Sequence, residues 1–245
     1  MKVISLLSFT SAIAATAAMA TVAPSASAFD FTPQQTGEIN VGLGCIDPNA
    51  CIDPGSIFES IVSLEDSTTG SRSRLFVDYF GAGDEVQKYK QDDKTKVKFL
   101  TRDAGTTSDG YWFRPSEYNA DGSNEEQGQL EVGTYQFNFA QELEELTIDF
   151  FDTERDGETG VLAINGQSIT PNYVPKGKDG NIASQTFTNV NSIVIKFGWD
   201  KPNGTGDGVD FQLSGKPAPS VPEPATLLGF LAIAGGSLVL KRQVA

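Results

Sequence analysis

Chemistry in this chain falls to carboxylates, because its 245 residues include no histidine. That absence removes Ser-His-Asp and Cys-His catalysis, zinc–imidazole sites and the ordinary neutral-pH proton shuttle. Two acidic stretches have the spacing a hard cation needs. In Asp152-Thr-Glu154-Arg-Asp156-Gly157-Glu158, oxygen ligands alternate and a glycine follows, as in a Ca2+ loop. The match to an EF-hand is poor: Glu154 stands where Asp or Asn is preferred, and the twelfth position is Ala163. An acidic turn between two strands is the alternative. In Asp200-Lys-Pro-Asn203-Gly-Thr-Gly-Asp207-Gly-Val-Asp210, short acids on flexible glycines can converge on Ca2+ from one end of a β-domain. The alternative there is a solvated Gly-rich connection.

Sugar rings stack on exposed aromatic faces, which makes Tyr111, Trp112 and Trp199 candidate glycan contacts. Core packing is the competing role for each. A pair of carboxylates ~5–10 Å apart can hydrolyse a glycosidic bond without histidine, but no pair stands out among 32 acids. Cys45 and Cys51, the only cysteines, flank Asp47-Pro48-Asn49, a turn-forming stretch. Six residues apart and without Cys-x-x-Cys spacing, they read as a local disulfide rather than a redox pair.

The elements around these residues read as strands. Leu75, Val77 and Tyr79 alternate with Phe76, Asp78 and Phe80, and Lys94 to Leu100 alternates in the same way. Ile57 to Leu64 is apolar and fits a strand or a short helix. Tyr111-Trp112-Phe113 is an aromatic run that Pro115 should end. Tyr135, Phe137 and Phe139 share one face, whereas Leu130 and Val132 have the opposite parity, so a turn or bulge is expected at Gly133-Thr134. Leu146 to Phe150 and Gly160 to Ile164 follow as separate strands, and Asn165-Gly166 marks a hairpin. Ile193 to Trp199 and Val209 to Leu213 complete the set. Short strands with frequent turns predict an all-β domain, an antiparallel β-sandwich of jelly-roll type, over residues 29–214.

Both ends of the chain differ from this passenger. Met1-Lys2, an Ala/Leu-rich stretch and Ala26-Ser27-Ala28 form a signal peptide, residues 1–28, with cleavage before Phe29. Residues 215–221 are a Pro-rich linker. Beyond it, Pro222-Glu223-Pro224 precedes sixteen uncharged residues, 225–240, and Lys241-Arg242 closes the run. A helix of that length rises about 24 Å, short of the ~30 Å hydrocarbon core. The stems of Lys241 and Arg242 can reach the headgroups, and their charge should hold that end in the cytoplasm. A formal charge of −14 excludes a nucleic-acid partner and suits a soluble exported protein or one that takes up divalent cations, a structural Ca2+ above all.

The tail over residues 222–245 resembles the PEP-CTERM sorting signal: a Pro-Glu-Pro motif, a short hydrophobic segment and a basic end. Leu130-Glu131-Val132-Gly133-Thr134-Tyr135, together with this tail, resembles the LEVG family of PEP-CTERM proteins. The resemblance implies Sec-dependent export, transient residence in the inner membrane and processing by an exosortase. It also implies release or transfer to the cell surface or an exopolysaccharide matrix. The expected function is therefore that of a non-enzymatic surface or matrix protein that binds Ca2+ or polysaccharide. The alternative is a secreted carbohydrate-active enzyme using a carboxylate pair.

Overall fold

The computed structural model describes residues 28–80, 87–90, 96–99, 110–117, 131–201 and 204–219. The expected leader up to residue 27, the motif Pro222-Glu223-Pro224, the segment 225–240, Lys241, Arg242 and Asn203 lie outside the described residues. Among the described residues no helix is long and apolar enough to cross a membrane. Their regular elements are strands. In chain order these are β1 (Phe29–Asp30), β2 (Gly37–Ile39), β3 (Cys51–Ile52), β4 (Phe58–Leu64), β5 (Arg74–Phe80), β6 (Gln87–Lys90), β7 (Lys96–Phe99) and β8 (Gly110–Ser116). They continue with β9 (Gly133–Phe151), β10 (Gly160–Ile164), β11 (Gln167–Tyr173), β12 (Ile182–Phe197), β13 (Trp199–Lys201), β14 (Gly204–Asp207) and β15 (Asp210–Pro217).

One large sheet runs β11-β10-β12-β9-β15-β8-β5-β2-β3, with β1 added on β15 and β4 on β9. It is mixed rather than purely antiparallel, because β2 and β3 pair in parallel at Glu38↔Cys51 and Ile39↔Ile52. The connection between those two strands carries the Cys45–Cys51 disulfide, with Cα atoms 5.8 Å apart. Two-stranded ribbons β6–β7 and β13–β14 stand apart from this path.

Two expected strands are one. The runs Tyr135–Phe139 and Leu146–Phe150 join in the nineteen-residue β9, paired along its length with β12. Drawn straight, it would span about 60 Å. Instead the Glu131 carbonyl accepts the Val209 N–H at 2.9 Å, while the Glu154 N–H reaches Asp207 Oδ1 at 3.1 Å. Both ends of β9 therefore flank residues 207–209, and the strand doubles over. The fold-back falls where partners change: β4 pairs residues up to Phe139, and β15 pairs residues from Leu143 onward. β12 has its irregularity opposite, between Val190 and Ser192, beside Asn189 at φ 56°. The parity change foreseen at Gly133-Thr134 coincides with the start of β9. The slip within the ladder lies at this second place.

The doubling brings rings from different parts of the sheet together. Phe211 of β15 stacks on Phe197 of β12 at 3.9 Å and on Phe113 of β8 at 4.8 Å. Phe137 of β9 meets Phe211 at 5.8 Å, edge to face. Such pairs add to the burial of large apolar faces that holds the two halves of β9 against each other. Pro115 does not end β8, which stays registered with β5 through Leu75↔Pro115 to Arg74↔Ser116. On the other flank β15 registers with β8 only at Phe113, so the missing N–H breaks no rung there.

Asn165 and Gly166, at φ 52° and 73°, form the expected two-residue hairpin between β10 and β11. The Asn165 side chain also serves β12. Its Nδ2 donates to the Asn189 carbonyl at 2.7 Å, and its Oδ1 accepts the N–H groups of Asn191 and Ser192. One turn residue thus satisfies backbone groups exposed by the irregularity of the long strand. At the other end of the domain, β1 pairs with β15 at Phe29↔Gly215, and β15 continues to Pro217. Residues 215–217 of the expected linker are therefore part of the sheet.

Candidate functional site

The register divides the domain into two ends. Asp210 of β15 lies opposite Phe151, whereas Pro217 lies opposite Leu143, so the strand separates them by about 23 Å. Phe29, opposite Gly215, lies at the Pro217 end. The acidic stretches found in the sequence collect at the Asp210 end.

Four connections build that end. The turn after β9 begins at Asp152, held at φ 62°. Its N–H donates to the Asn181 carbonyl at 2.8 Å, and its Oδ1 accepts the Gly180 N–H at 2.7 Å. Thr153 carbonyl accepts from Gly177 N–H and Asn181 Nδ2. These bonds lace the segment between β11 and β12 to the turn and carry Asp179 beside Asp152 and Glu154. The ligand oxygens of Asp152, Glu154 and Asp179 lie within 4.8 Å of one another. Sequence reasoning missed Asp179, because 27 residues separate it from Asp152 and only this lacing joins them.

Asp207 lies against the same turn. It is 2% exposed, its Oδ1 accepts the Glu154 N–H, and its Oδ2 is buried without a hydrogen bond. Burial pushes its pKa up to about 6, and the Glu154 carboxylate adds to the rise. The two stretches considered separately in the sequence therefore meet at Glu154 and Asp207. Asp200 joins through the β4–β5 turn: its N–H donates to Thr68 Oγ1, which donates to Asp66.

Other candidates are committed elsewhere. Asp156 pairs with Lys176 at 3.1 Å on the surface, and the N–H and charge of Lys176 hold its pKa low. Asp210 is buried 3.5 Å from the Arg114 guanidinium, which also meets Asp78 and Glu131 at 3.2 and 2.6 Å. Burial opposes the charge on Arg114, but Asp210, Glu131 and Asp78 together hold its pKa above the ordinary value. Asp210 is thus a member of a buried ionic network rather than a loop ligand.

Trp112 is 1% exposed and packs edge to face on Phe151 at 5.3 Å, so its ring has no free face for a sugar. Trp199 carries the Arg155 guanidinium over its ring at 4.0 Å. Tyr111 is half-buried beside the exposed Tyr79, with ring centroids 5.1 Å apart on neighbouring strands. The pairing with Tyr79 could have been found only from the β5–β8 register.

Residues 131–135 are packed into the framework. Glu131 is the Arg114 partner, and the Thr134 hydroxyl donates to Asp66 Oδ2 at 2.6 Å. Tyr135 donates its phenol hydrogen to the Arg74 carbonyl at 2.5 Å. Burial, then the charges of Asp66 and Glu117, push that phenol well above its ordinary pKa and keep it a donor. A Cβ at Gly133 would stand 2.7 Å from the Tyr135 ring and 2.8 Å from Ser73 Cβ. These roles are structural.

No protein-family model, curated protein or solved structure matches the chain. The site is thus read from its own residues.

Proposed function

We propose that this chain is an exported, non-enzymatic passenger delivered by its C-terminal tail to the cell surface or to an exopolysaccharide matrix. Sec export through the N-terminal leader and exosortase processing near Pro222-Glu223-Pro224 are the steps this reading requires. In it, the doubled mixed sheet is a β-sandwich of jelly-roll type, whose two layers are the two halves of β9 and β12 with their neighbours. The contacts of Phe211 with Phe113, Phe137 and Phe197 support that reading.

The observation that carries the proposal is the succession of three parts in the C-terminal sequence, a Pro-Glu-Pro motif, an uncharged run and Lys241-Arg242. Two structural facts support it. The Cys45–Cys51 disulfide suits an oxidising compartment. Phe29, the first residue after the expected cleavage, pairs with Gly215, at the end of β15 opposite to Asp210. If polysaccharide is bound, exposed Tyr79 beside half-buried Tyr111 is the aromatic surface that offers stacking.

The test replaces Pro222-Glu223-Pro224 by three alanines and follows the protein through membrane, surface and medium fractions. The proposal expects a precursor retained in the membrane at increased mass. An unchanged distribution and size would remove the sorting role.

A further inference from the structure

The long strand β12 leaves one edge open. Its residues 182–188 register with β9 from Phe151 to Glu145, whereas β10 covers residues 193–196 on the other side. Among the described residues no strand pairs with residues 182–188 on the side away from β9. β11 reaches this part through Gln185 Nε2, which donates to the Asn172 carbonyl at 3.2 Å. Alternate residues of such a strand turn N–H and C=O outward, so the edge offers a row of backbone donors and acceptors about 23 Å long. Sheet ends are ordinarily blunted, and the two terminal strands here are: β3 has two residues, and β11 carries Pro171. β12 has neither device, since residues 180–195 contain no proline and no charged residue.

The flank around this edge is neutral. Residues 159–175, which hold β10 and β11, are uncharged as well, in a chain of formal charge −14. The nearest acids by register, Glu145 and Asp149, stand one strand in, on β9. Among the described residues, two of the four exposed large apolar side chains lie on this flank, Tyr173 at 40% and Ile182 at 47%. Charge narrows what can cover it. Two copies of so acidic a chain repel over most of their surface and can approach only where neither is charged. A twofold pair sets the strand against itself, so one neutral edge supplies both sides of the contact.

We propose that β12 adds, through residues 182–188, to the same strand of a second copy in an antiparallel twofold pair. The contact needs neither the tail nor sorting. A single strand pair falls in the small class of interfaces, below about 1,200 Å2, so the dimer forms at roughly 10–100 µM protein.

The experiment follows the full-length chain, in a density-matched mild detergent, by sedimentation equilibrium and amide hydrogen exchange from about 1 µM to 1 mM. The protein mass should rise towards that of two chains, and alternate amides of residues 182–188 should exchange at least ~10-fold more slowly at the top of the range. Thr186 is exposed, and its hydroxyl meets only that of Thr147 at 3.0 Å. Thr186→Glu should therefore keep the unfolding midpoint within a few degrees while like charges across the axis weaken association at least ~10-fold. Asn49→Glu, exposed in the disulfide turn at the other end of the sheet, adds the same charge and should leave association unchanged. A chain that stays monomeric to about 1 mM overturns the proposal. So does a dimer that Thr186→Glu does not weaken, or one whose slowed amides lie outside residues 182–188.

Discussion

Replacing Gly133 with alanine tests the packing of residues 131–135. The new methyl would stand 2.7 Å from Cε2 and the hydroxyl oxygen of Tyr135 and 2.8 Å from Ser73 Cβ. Neither neighbour can retreat freely. The Tyr135 ring is fully buried and its hydroxyl is fixed on the Arg74 carbonyl, while Ser73 N–H is bonded to Ser63 Oγ. Inserting a methyl against such neighbours costs about 1–3 kcal/mol. For a domain near 190 residues that lowers the unfolding midpoint by roughly 2–12 °C. Tyr135→Phe alone costs about 1–2 kcal/mol, because it removes the buried hydrogen bond from the hydroxyl to the Arg74 carbonyl. It also removes one of the two Tyr135 atoms that the methyl meets. The double variant should therefore lose less than the sum of the two, by at least about 0.5 kcal/mol. Equilibrium urea unfolding of all four proteins measures this coupling. A Gly133→Ala change within 0.5 kcal/mol of wild type, with additive effects, would refute the packing argument.

Three further outcomes follow from other parts of the fold. Cys45→Ser/Cys51→Ser should lower stability by about 2 kcal/mol, read by urea unfolding, because the closed loop is short. Asn165→Ala should cost about 2 kcal/mol by the same assay and Asn165→Gly less, since glycine restores the turn but not the bonds to β12. Asp207 has a folded pKa near 6 against an ordinary 3.8, so its neutral form is favoured by folding. Its contribution is complete below about pH 4 and lost as pH rises through 6, so in chelator Asp207→Asn should melt above wild type at pH 7.5, with the gap shrinking toward pH 4.

The strands and the hairpin turn were legible because they rest on local signals: the alternation of Leu75–Phe80, the Asn165-Gly166 pair and the parity of Tyr135–Phe139. Period-two patterning cannot tell two strands from one that folds back, so β9 read as two. Pro115 read as a stop because its tolerance depends on where β15 ends its register with β8. At the site, the two acidic stretches were visible, but their meeting at Glu154 and Asp207 was not. Asp179 had no local signal, and the fates of Asp156, Asp210 and Trp112 depended on Lys176, Arg114 and Phe151, each distant in sequence or on a neighbouring strand.

Export followed by trimming at the tail is tested most directly by the intact mass of the protein recovered from its natural host. The account predicts a chain that begins at Phe29, ends close to Pro222-Glu223-Pro224 and contains the oxidised Cys45–Cys51 pair. A cytosolic chain running from Met1 to Ala245 with both thiols reduced would contradict it.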